Sequence, residues 1–146
     1  DCARECGVRE VFWKIAVKPG KPLWFGVTDS ARVFNLPGNP VSVLHSYLLF
    51  VRYFLLRSAG ASTDDAALPR ARAILTDAVS KDDPRREFVR GVCAWRDGHA
   101  RVTPRRERGS AMLSGLARAN CLIVLPEAVG ECAAGEDVEV LLAPWR

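Results

Sequence analysis

The stretch that decides the fold of this chain is Leu36-Pro37-Gly38-Asn39-Pro40-Val41-Ser42, in which a turn leads from a strand directly into a helix. Its two prolines fix φ and lack N–H donors, and Gly38 permits positive φ. Apolar residues then recur at three- and four-residue steps, at Val41, Leu44, Leu48, Val51 and Leu55. This spacing predicts a helix that ends near Gly60.

Short strands are predicted upstream of this turn. Residues 1–10 are typical of the end of a helix, and residues 11–17 then form an apolar, aromatic strand. Two further apolar runs, at 23–27 and 32–36, predict a hairpin or neighbouring strands. Such an alternation of helix and strand is typical of an α/β layer structure. Because so few elements cannot cover both faces of a parallel sheet, we expect a partner or a companion fragment to complete this region.

Downstream of the helix the pattern changes. Residues 61–69 are small, polar and acidic, and predict a linker. Short apolar runs then alternate with Gly, Pro and Asp clusters, which is typical of a small β-barrel of about five or six strands. The candidate strands are 70–75, 87–95, 100–103, 121–125 and 138–142. The predicted fold is therefore α/β plus all-β, with part of an α/β domain at 1–60 and a β-barrel domain at 68–146.

Composition narrows the class of protein. The chain has 146 residues, of which 49% are hydrophobic and 26% charged, which excludes disordered and collagen-like classes. The apolar stretch 41–56 contains polar residues and falls short of the roughly 18 uncharged residues that a membrane span needs. No secretory signal is evident, so we expect a cytoplasmic location. The five cysteines lack the paired spacing of a zinc site and are expected to be reduced thiols.

Three lysines border a Pro-Gly turn. Lys14 and Lys18 are four residues apart and would lie on the same side of a regular strand, and Lys21 follows across Pro19-Gly20. Three ammonium groups could thus converge on one anion. The alternative is that these lysines are solvated at the surface.

The turn at Pro37-Gly38-Asn39-Pro40 is a second candidate anion site. The start of a helix presents free N–H groups and a partial positive charge, to which anions bind readily. Ser42 lies in the first turn of the predicted helix, where it could donate its hydroxyl to an anion. Spacing alone favours a capping role for Ser42.

Arginines mark the predicted barrel domain. Arg85 and Arg86 begin a candidate strand, and Arg90 lies within it. A guanidinium pairs bidentately with oxyanions, which fits phosphate or molybdate. In the alternative interpretation the arginines pair with neighbouring carboxylates, namely Asp82, Asp83 and Glu87.

Two serine hydroxyls complete the set of candidate ligand-binding groups. Ser110 and Ser114 are four residues apart in the small-residue stretch 109–120, which is either a helical turn that directs them to a ligand or a tight connection. The chain shows no Ser-His-Asp or Cys-His constellation, and we interpret His45 and His99 as structural.

Five ordered motifs resemble the molybdopterin molybdotransferase (MoeA/gephyrin) family. They are Phe12 to Pro22, Leu36 to Ser42, Pro84 to Arg90, Gly109 to Asn120 and Leu122 to Pro126. The resemblance implies that residues 1–60 are the last part of the family's molybdopterin-binding α/β domain and residues 68–146 its C-terminal β-barrel. The family acts as a homodimer, so a homodimer or a companion N-terminal fragment is an implied partner.

The resemblance also implies an activity. The family's substrate is molybdopterin-AMP; molybdate is inserted at the dithiolene, AMP is released, and Mg²⁺ assists, held mainly by regions outside this chain. The implied catalytic residues are Lys14, Lys18 and Arg85. The implied substrate-binding residues are Pro19, Gly20, Lys21, Pro37, Gly38, Asn39, Ser42, Arg90, Ser110 and Ser114. Because tungstate presents nearly the same charge and shape as molybdate, the same residues fit either oxyanion.

The chain departs from the family's sequence pattern at one position, and two other functions compete with the transferase activity. Many members carry two adjacent serines where this chain has Leu113-Ser114, which leaves open whether Ser114 or Ser110 is the ligand. The animal relative of the family uses the same region to anchor receptor peptides, so a non-catalytic scaffold that binds a peptide is the alternative function. Nucleic-acid binding is disfavoured because the net charge of +4 is modest and the arginine runs show no evident pattern of interleaved aromatic residues.

Overall fold

The computed structural model describes residues 2–96, 98–105 and 117–144. Its first part is a short helix followed by strands, three of which form an antiparallel sheet in the order β1-β3-β4. The elements of this part are α1 (Cys2–Glu5), β1 (Arg9–Trp13), β2 (Val17–Lys18), β3 (Trp24–Val27) and β4 (Arg32–Asn35). The predicted neighbouring strands at 23–27 and 32–36 are confirmed, since β3 pairs with β4 throughout its length.

The single strand predicted over residues 11–17 is wrong. β1 ends at Trp13, and Lys14 takes a φ of +69°, a left-handed conformation that breaks extended backbone. The N–H of Lys14 donates to the carbonyl of Leu23 at 3.0 Å. The chain therefore changes direction after β1, and β2 leaves the three-stranded sheet to pair elsewhere.

The long helix after the Pro-Gly turn is confirmed, with an irregular centre. It consists of α2 (Pro40–Ser46), a π-helical segment (Tyr47–Val51) and α3 (Arg52–Ser58). Gly60, the predicted stop, has a φ of +94°, and its N–H donates to the carbonyl of Arg57 at 3.1 Å. A membrane-spanning helix is not found among the described residues.

The predicted linker contains a one-turn helix, α4 (Thr63–Ala66), with Ser62 as its N-cap. Arg52 donates from Nη1 to the carbonyl of Ala66 at 2.8 Å, which ties α4 to the long helix. Leu68, at the end of the segment, is buried against the same helix. Residues 61–69 are thus packed and hydrogen-bonded onto their neighbours.

The predicted β-barrel is confirmed. The strands of this part are β5 (Arg70–Leu75), β6 (Val79–Ser80), β7 (Arg86–Arg96), β8 (His99–Pro104), β9 (Cys121–Leu125), β10 (Glu131–Cys132) and β11 (Asp137–Leu142). All five candidate strands are present, and the barrel closes in the order β7-β8-β5-β11-β9 and back to β7. The short pair β6 and β10 was not predicted, because two-residue strands are too short to show a periodic pattern.

β9 shows how the helix and the barrel share one strand. All five of its residues are buried. Cys121, Ile123 and Leu125 belong to the cluster that fills the barrel, whereas Leu122 and Val124 belong to a second cluster with Leu48 of the long helix. Alternate side chains of a strand point to opposite faces, so a strand covered on both faces is apolar throughout.

A parallel strand pair joins the two parts of the structure. β2 pairs with the start of β7, with Val17 opposite Arg86 and Lys18 opposite Glu87. The N–H of Arg86 donates to the carbonyl of Ala16 at 3.3 Å. This pairing extends the barrel sheet by one short strand. The predicted division into domains 1–60 and 68–146 stays a prediction.

Candidate oxyanion-binding site

The turn after β2 is packed tightly against the long helix. The Lys18–Pro19 peptide is cis, and Gly20 is buried with a φ of +119°. A Cβ atom at Gly20 would lie 3.1 Å from Oγ of Ser46, which is buried in α2. Both the positive φ and this close approach favour glycine at position 20. The turn that carries Lys18 is therefore held between the barrel edge and the helix.

Lys18 lies between two carboxylates of the barrel part. Its Nζ is 3.2 Å from Oδ1 of Asp82 and 3.4 Å from Oε2 of Glu87. Partial burial opposes the charge, but the hydrogen bond to Asp82 and the negative charge of Glu87 outweigh it, so the pKa of Lys18 is raised. Lys18 is thus a fixed ammonium ion at neutral pH.

Arg85 lies beside the same turn. Its Nη1 donates to the carbonyl of Val17 at 3.2 Å, across 68 positions of sequence. Its Nε donates to Oδ1 of Asp83 at 2.7 Å, and Nη2 donates to Oδ2 of Asp83. These hydrogen bonds raise the pKa of Arg85 and hold the pKa of Asp83 well below its usual range. The guanidinium is therefore beside the Lys18 turn, with a carboxylate in its fork.

The structure brings together the segments of two predicted catalytic residues, Lys18 and Arg85, through the β2–β7 pair. It also shows the alternative interpretation for Arg85, because Asp83 occupies the fork of its guanidinium. Arg86 instead pairs at 3.2 Å with Glu127, a partner that the sequence did not suggest. Asp83 already accepts from Nε and Nη2 of the guanidinium, so an oxyanion at Arg85 would use the remaining N–H groups. The roles assigned to Lys18 and Arg85 remain predictions.

The positions of Lys14 and Lys21 differ from the prediction, which assumed a regular strand through Lys14 and Lys18. Because Lys14 has a positive φ, the same-side relationship with Lys18 does not apply. Nζ of Lys14 lies 4.0 Å from the ring centroid of Trp13, a cation–π contact. Lys21 is exposed, and its carbonyl accepts the N–H of Ile15 at 3.0 Å. The expectation that all three ammonium groups converge has no support in these contacts.

The helix start is capped by Asn39. Its Oδ1 accepts the N–H of Val41 at 2.9 Å and that of Ser42 at 3.4 Å. The expectation that Ser42 is the cap is therefore wrong, because Asn39 supplies the oxygen and Ser42 only a backbone N–H. Among the described residues, no hydrogen bond involves the half-buried Ser42 hydroxyl.

Pro37 and Gly38 line a groove of about 500 Å³, together with residues of α1, β1, β3 and the end of β4. Its walls include Trp13 and Trp24, and Nε1 of Trp24 donates to Oε2 of Glu10 at 2.8 Å. A Cβ at Gly38 would meet nothing within 4 Å, so this part of the groove is open. The lining includes neither Lys18 nor Arg85.

Arg90 and His45 lie in the interface between helix and barrel. Arg90 is only 7% exposed and borders a small cavity that His45 also lines. Nδ1 of His45 lies 2.7 Å from the carbonyl of Val41. Burial lowers the pKa of His45, and the charge of Arg90 adds to the effect. Arg90 was predicted to bind substrate, but the structure buries it in the packing interface.

Lys81 was missed by the sequence analysis. Its Nζ donates to the carbonyls of Arg85 at 2.8 Å and of Glu127 at 3.1 Å, and also to the carbonyl of Pro126. It thus fastens the loop that carries Arg85 to the end of β9. No sequence motif indicates this role, because every residue type has a backbone carbonyl. Which carbonyls Lys81 can reach therefore depends on the fold and not on the identity of its neighbours. Ser110 and Ser114 lie outside the described residues.

Family comparisons cover nearly the whole chain. The family described as "Probable molybdopterin binding domain" matches residues 1–57, and the one described as "MoeA C-terminal region (domain IV)" matches residues 72–143. The molybdopterin molybdenumtransferase of Haemophilus influenzae is 36% identical over 130 residues, which are 88% of this chain and 32% of the relative. The molybdopterin molybdenumtransferase 2 of Mycobacterium tuberculosis is 35% identical over 129 residues, 88% of this chain and 31% of the relative.

The solved structures that resemble this chain also come from proteins of molybdopterin or molybdenum cofactor biosynthesis. The molybdopterin biosynthesis MoeA protein of Pyrococcus horikoshii aligns with a TM-score of 0.74 at 30% identity, over 92% of this chain and 32% of that one. A molybdenum cofactor biosynthesis protein of Pyrococcus furiosus aligns with a TM-score of 0.73 at 36% identity, over 92% of this chain and 46% of that one. The chain spans about a third of the length of the curated relatives it matches.

Proposed function

Since the chain belongs to the MoeA family of molybdopterin molybdenumtransferases, of which it represents the C-terminal portion, we propose that it contributes an oxyanion-binding half-site to the insertion of molybdate into adenylylated molybdopterin. The reaction releases AMP. The comparisons do not favour the alternative of a peptide-binding scaffold, because the relatives carry the name of a transferase.

One observation carries the assignment of the half-site. The parallel pair of β2 and β7 sets the Lys18 turn beside the loop of Arg85, although the residues joined by the Arg85–Val17 hydrogen bond are 68 positions apart. A compact ammonium and a planar guanidinium on neighbouring segments suit a tetrahedral dianion. The Ser42 hydroxyl is a further donor in this proposal.

These groups act on the reaction without forming a covalent bond to the substrate. Lys18 and Arg85 hold molybdate next to the dithiolene, so the encounter of the two reactants is no longer limited by their free diffusion. Fixed positive charges also stabilise the negative charge that develops as the phosphoanhydride of the adenylylated pterin breaks. Arg85 is already oriented by its hydrogen bond to the carbonyl of Val17, and Lys18 by its ion pair with Glu87, so these two cations need little reorganisation when the dianion arrives.

The same proposal includes Mg²⁺ as the cofactor, a homodimer as the assembly and the cytoplasm as the location of the enzyme. The described residues contain no group of three His, Cys, Asp or Glu side chains that could hold a metal ion. We therefore assign no step on this chain to Mg²⁺ and place its ligands among other residues of the assembled enzyme. A companion N-terminal fragment would supply those residues, and the homodimer is the proposed assembly of the enzyme.

The proposal is tested with a chimera in which residues 1–146 replace the matching region of the Haemophilus influenzae relative. We expect the chimera to restore molybdenum cofactor synthesis in a strain without its own transferase, and Arg85→Ala to abolish that rescue at limiting molybdate. Arg101→Ala is the matched control, because Arg101 is exposed on β8 and its side chain has no partner among the described residues. A chimera that is folded and dimeric but inactive with added molybdate would count against the proposal.

A further inference from the structure

Two adjacent carboxylates beside the half-site differ in how firmly they are held. Asp83 forms a double hydrogen bond to the guanidinium of Arg85 and also accepts the backbone N–H of Arg85 at 2.9 Å. The side chain of Asp82 is 94% exposed, and its described contact is with Nζ of Lys18 at 3.2 Å. Asp83 is thus part of the loop structure, whereas Asp82 is attached by one exposed ion pair.

Lys18 has a second, more protected partner. Glu87 stands opposite Lys18 in the β2–β7 pair, and its side chain is only 11% exposed. Losing Asp82 therefore leaves Lys18 held by Glu87 and by the backbone pairing of β2. Orientation of the ammonium does not depend on Asp82.

The charges around the half-site are balanced. The four cations of this cluster are Lys18, Lys81, Arg85 and Arg86, and the four carboxylates are Asp82, Asp83, Glu87 and Glu127. A dianion that enters a neutral cluster gains little unless a carboxylate withdraws from a cation. Asp82 can withdraw with least loss, because an exposed ion pair is weak and water solvates the freed carboxylate.

We propose that Asp82 is a built-in competitor of the oxyanion, whose carboxylate occupies the Lys18 ammonium in the absence of substrate and is displaced when molybdate binds. This inference rests on the oxyanion role proposed above for Lys18. It assigns Asp82 to setting the affinity of the site, and Glu87 to holding Lys18 in place. Removal of Asp82 should then tighten oxyanion binding, because the ammonium of Lys18 no longer has to exchange partners.

The experiment measures molybdate binding to the 146-residue chain by equilibrium dialysis at low ionic strength. We expect Asp82→Asn to bind molybdate about two- to sixfold more tightly, the factor by which competition from an exposed ion pair would weaken it. Asp64→Asn is the matched control, because Asp64 is exposed in α4, lacks side-chain partners among the described residues and changes the net charge equally. Asp64→Asn should leave the affinity unchanged.

A double-mutant cycle with Lys18→Met separates competition from a general effect of charge. If Asp82 competes for the ammonium, Asp82→Asn should give no gain in the Lys18→Met background. The inference is overturned by an equal gain in both backgrounds, by unchanged or weaker binding in Asp82→Asn, or by a fall in thermal stability as the sole effect of that substitution.

The two proposals fail differently. If Lys18→Met weakens molybdate binding but Asp82→Asn does not tighten it, the half-site stands and the competitor role is wrong. If neither the chain nor Asp82→Asn binds molybdate saturably, or if Lys18→Met leaves the affinity unchanged, the half-site itself is wrong and the competitor role with it.

Discussion

Lys18 and Glu87 face each other in the parallel pair of β2 and β7, with Nζ of the lysine 3.4 Å from Oε2 of the glutamate. Glu87 is buried, and its negative charge helps to raise the pKa of Lys18 against the partial burial that lowers it. The same backbone pairing sets the carbonyl of Val17 within reach of Arg85. The position of the proposed half-site is therefore a consequence of one short strand pair.

Arg85→Ala should weaken the use of molybdate in the active chimera. A hydrogen bond to a charged group contributes roughly 1.5–3 kcal/mol, so we expect the molybdate concentration needed for half-maximal rate to rise about ten- to 150-fold. Binding of the adenylylated pterin should change less. Steady-state rates at varied molybdate, with Arg101→Ala alongside, test this; an unchanged molybdate dependence in a folded Arg85→Ala protein would contradict it.

Lys18→Arg should not fully restore function. The guanidinium is wider than an ammonium, and the Lys18 side chain leaves a tightly packed turn, in which a Cβ atom added at Gly20 would lie only 3.1 Å from Oγ of Ser46. Charge is retained, so Lys18→Arg should exceed Lys18→Met in molybdate binding but remain below the native chain. Equal affinities for Lys18→Arg and the native chain would show that only the charge at position 18 matters.

Acid should destabilise the fold through His45. Burial, and secondly the charge of Arg90, lower its pKa below the ordinary value of 6.5, so the unfolded chain binds this proton more readily than the folded one. Its contribution to stability is complete above pH 6.5 and is lost as the pH falls below that value, by up to about 1.4 kcal/mol per pH unit.

Denaturant unfolding at about pH 7.5 and about pH 5.5 measures this effect. His45→Asn should reduce the difference in unfolding free energy between the two conditions, because asparagine does not titrate. His99→Asn is the control, since His99 is exposed on β8. A native chain with the same pH dependence as His45→Asn would refute the role of His45.

The cysteines should fall into two reactivity classes. Cys2 and Cys6 are exposed, whereas Cys93, Cys121 and Cys132 are buried free thiols of the barrel. Burial, with a further contribution from Cys93, raises the pKa of Cys121 to about 12, so its reactive thiolate is scarce at neutral pH. Thiol titration should therefore modify two cysteines rapidly in the native chain and the other three only in denaturant. Rapid modification of more than two would mean that the barrel opens.

Local sequence patterns identified most of the elements. The five barrel strands and the helix stop at Gly60 were predicted because strands show apolar runs between turn residues and a glycine with positive φ ends a helix. The break at Lys14 was not predicted, since a non-glycine residue with positive φ has no residue-type signal. The π-helical segment also escaped prediction, because the apolar spacing of residues 47–51 fits a regular helix equally well.

The candidate site was predictable in its parts. Lys18 and Arg85 were singled out by their motifs, and Asp83 was among the carboxylates named as alternative partners of the arginines. The ion pair of Lys18 with Asp82 was not predicted, because the alternative for the lysines was solvation at the surface. Spacing alone favoured a capping role for Ser42, but Asn39, three residues earlier, is the N-cap and accepts the N–H groups of Val41 and Ser42. Lys81 could not be found, since its partners are backbone carbonyls whose positions depend on two separate loops.

The sequence by itself determined which segments become strands and helix, where the chain turns, and which family the chain belongs to, because each depends on residues close together along the chain. Only the tertiary structure decided that β2 leaves its own sheet to pair with β7, that Asp82 and Glu87 share Lys18, and that Arg90 is buried. The physical reason is that side-chain periodicity fixes faces within one element, whereas the register between distant elements is selected by the packing of the helix and β2 against the barrel.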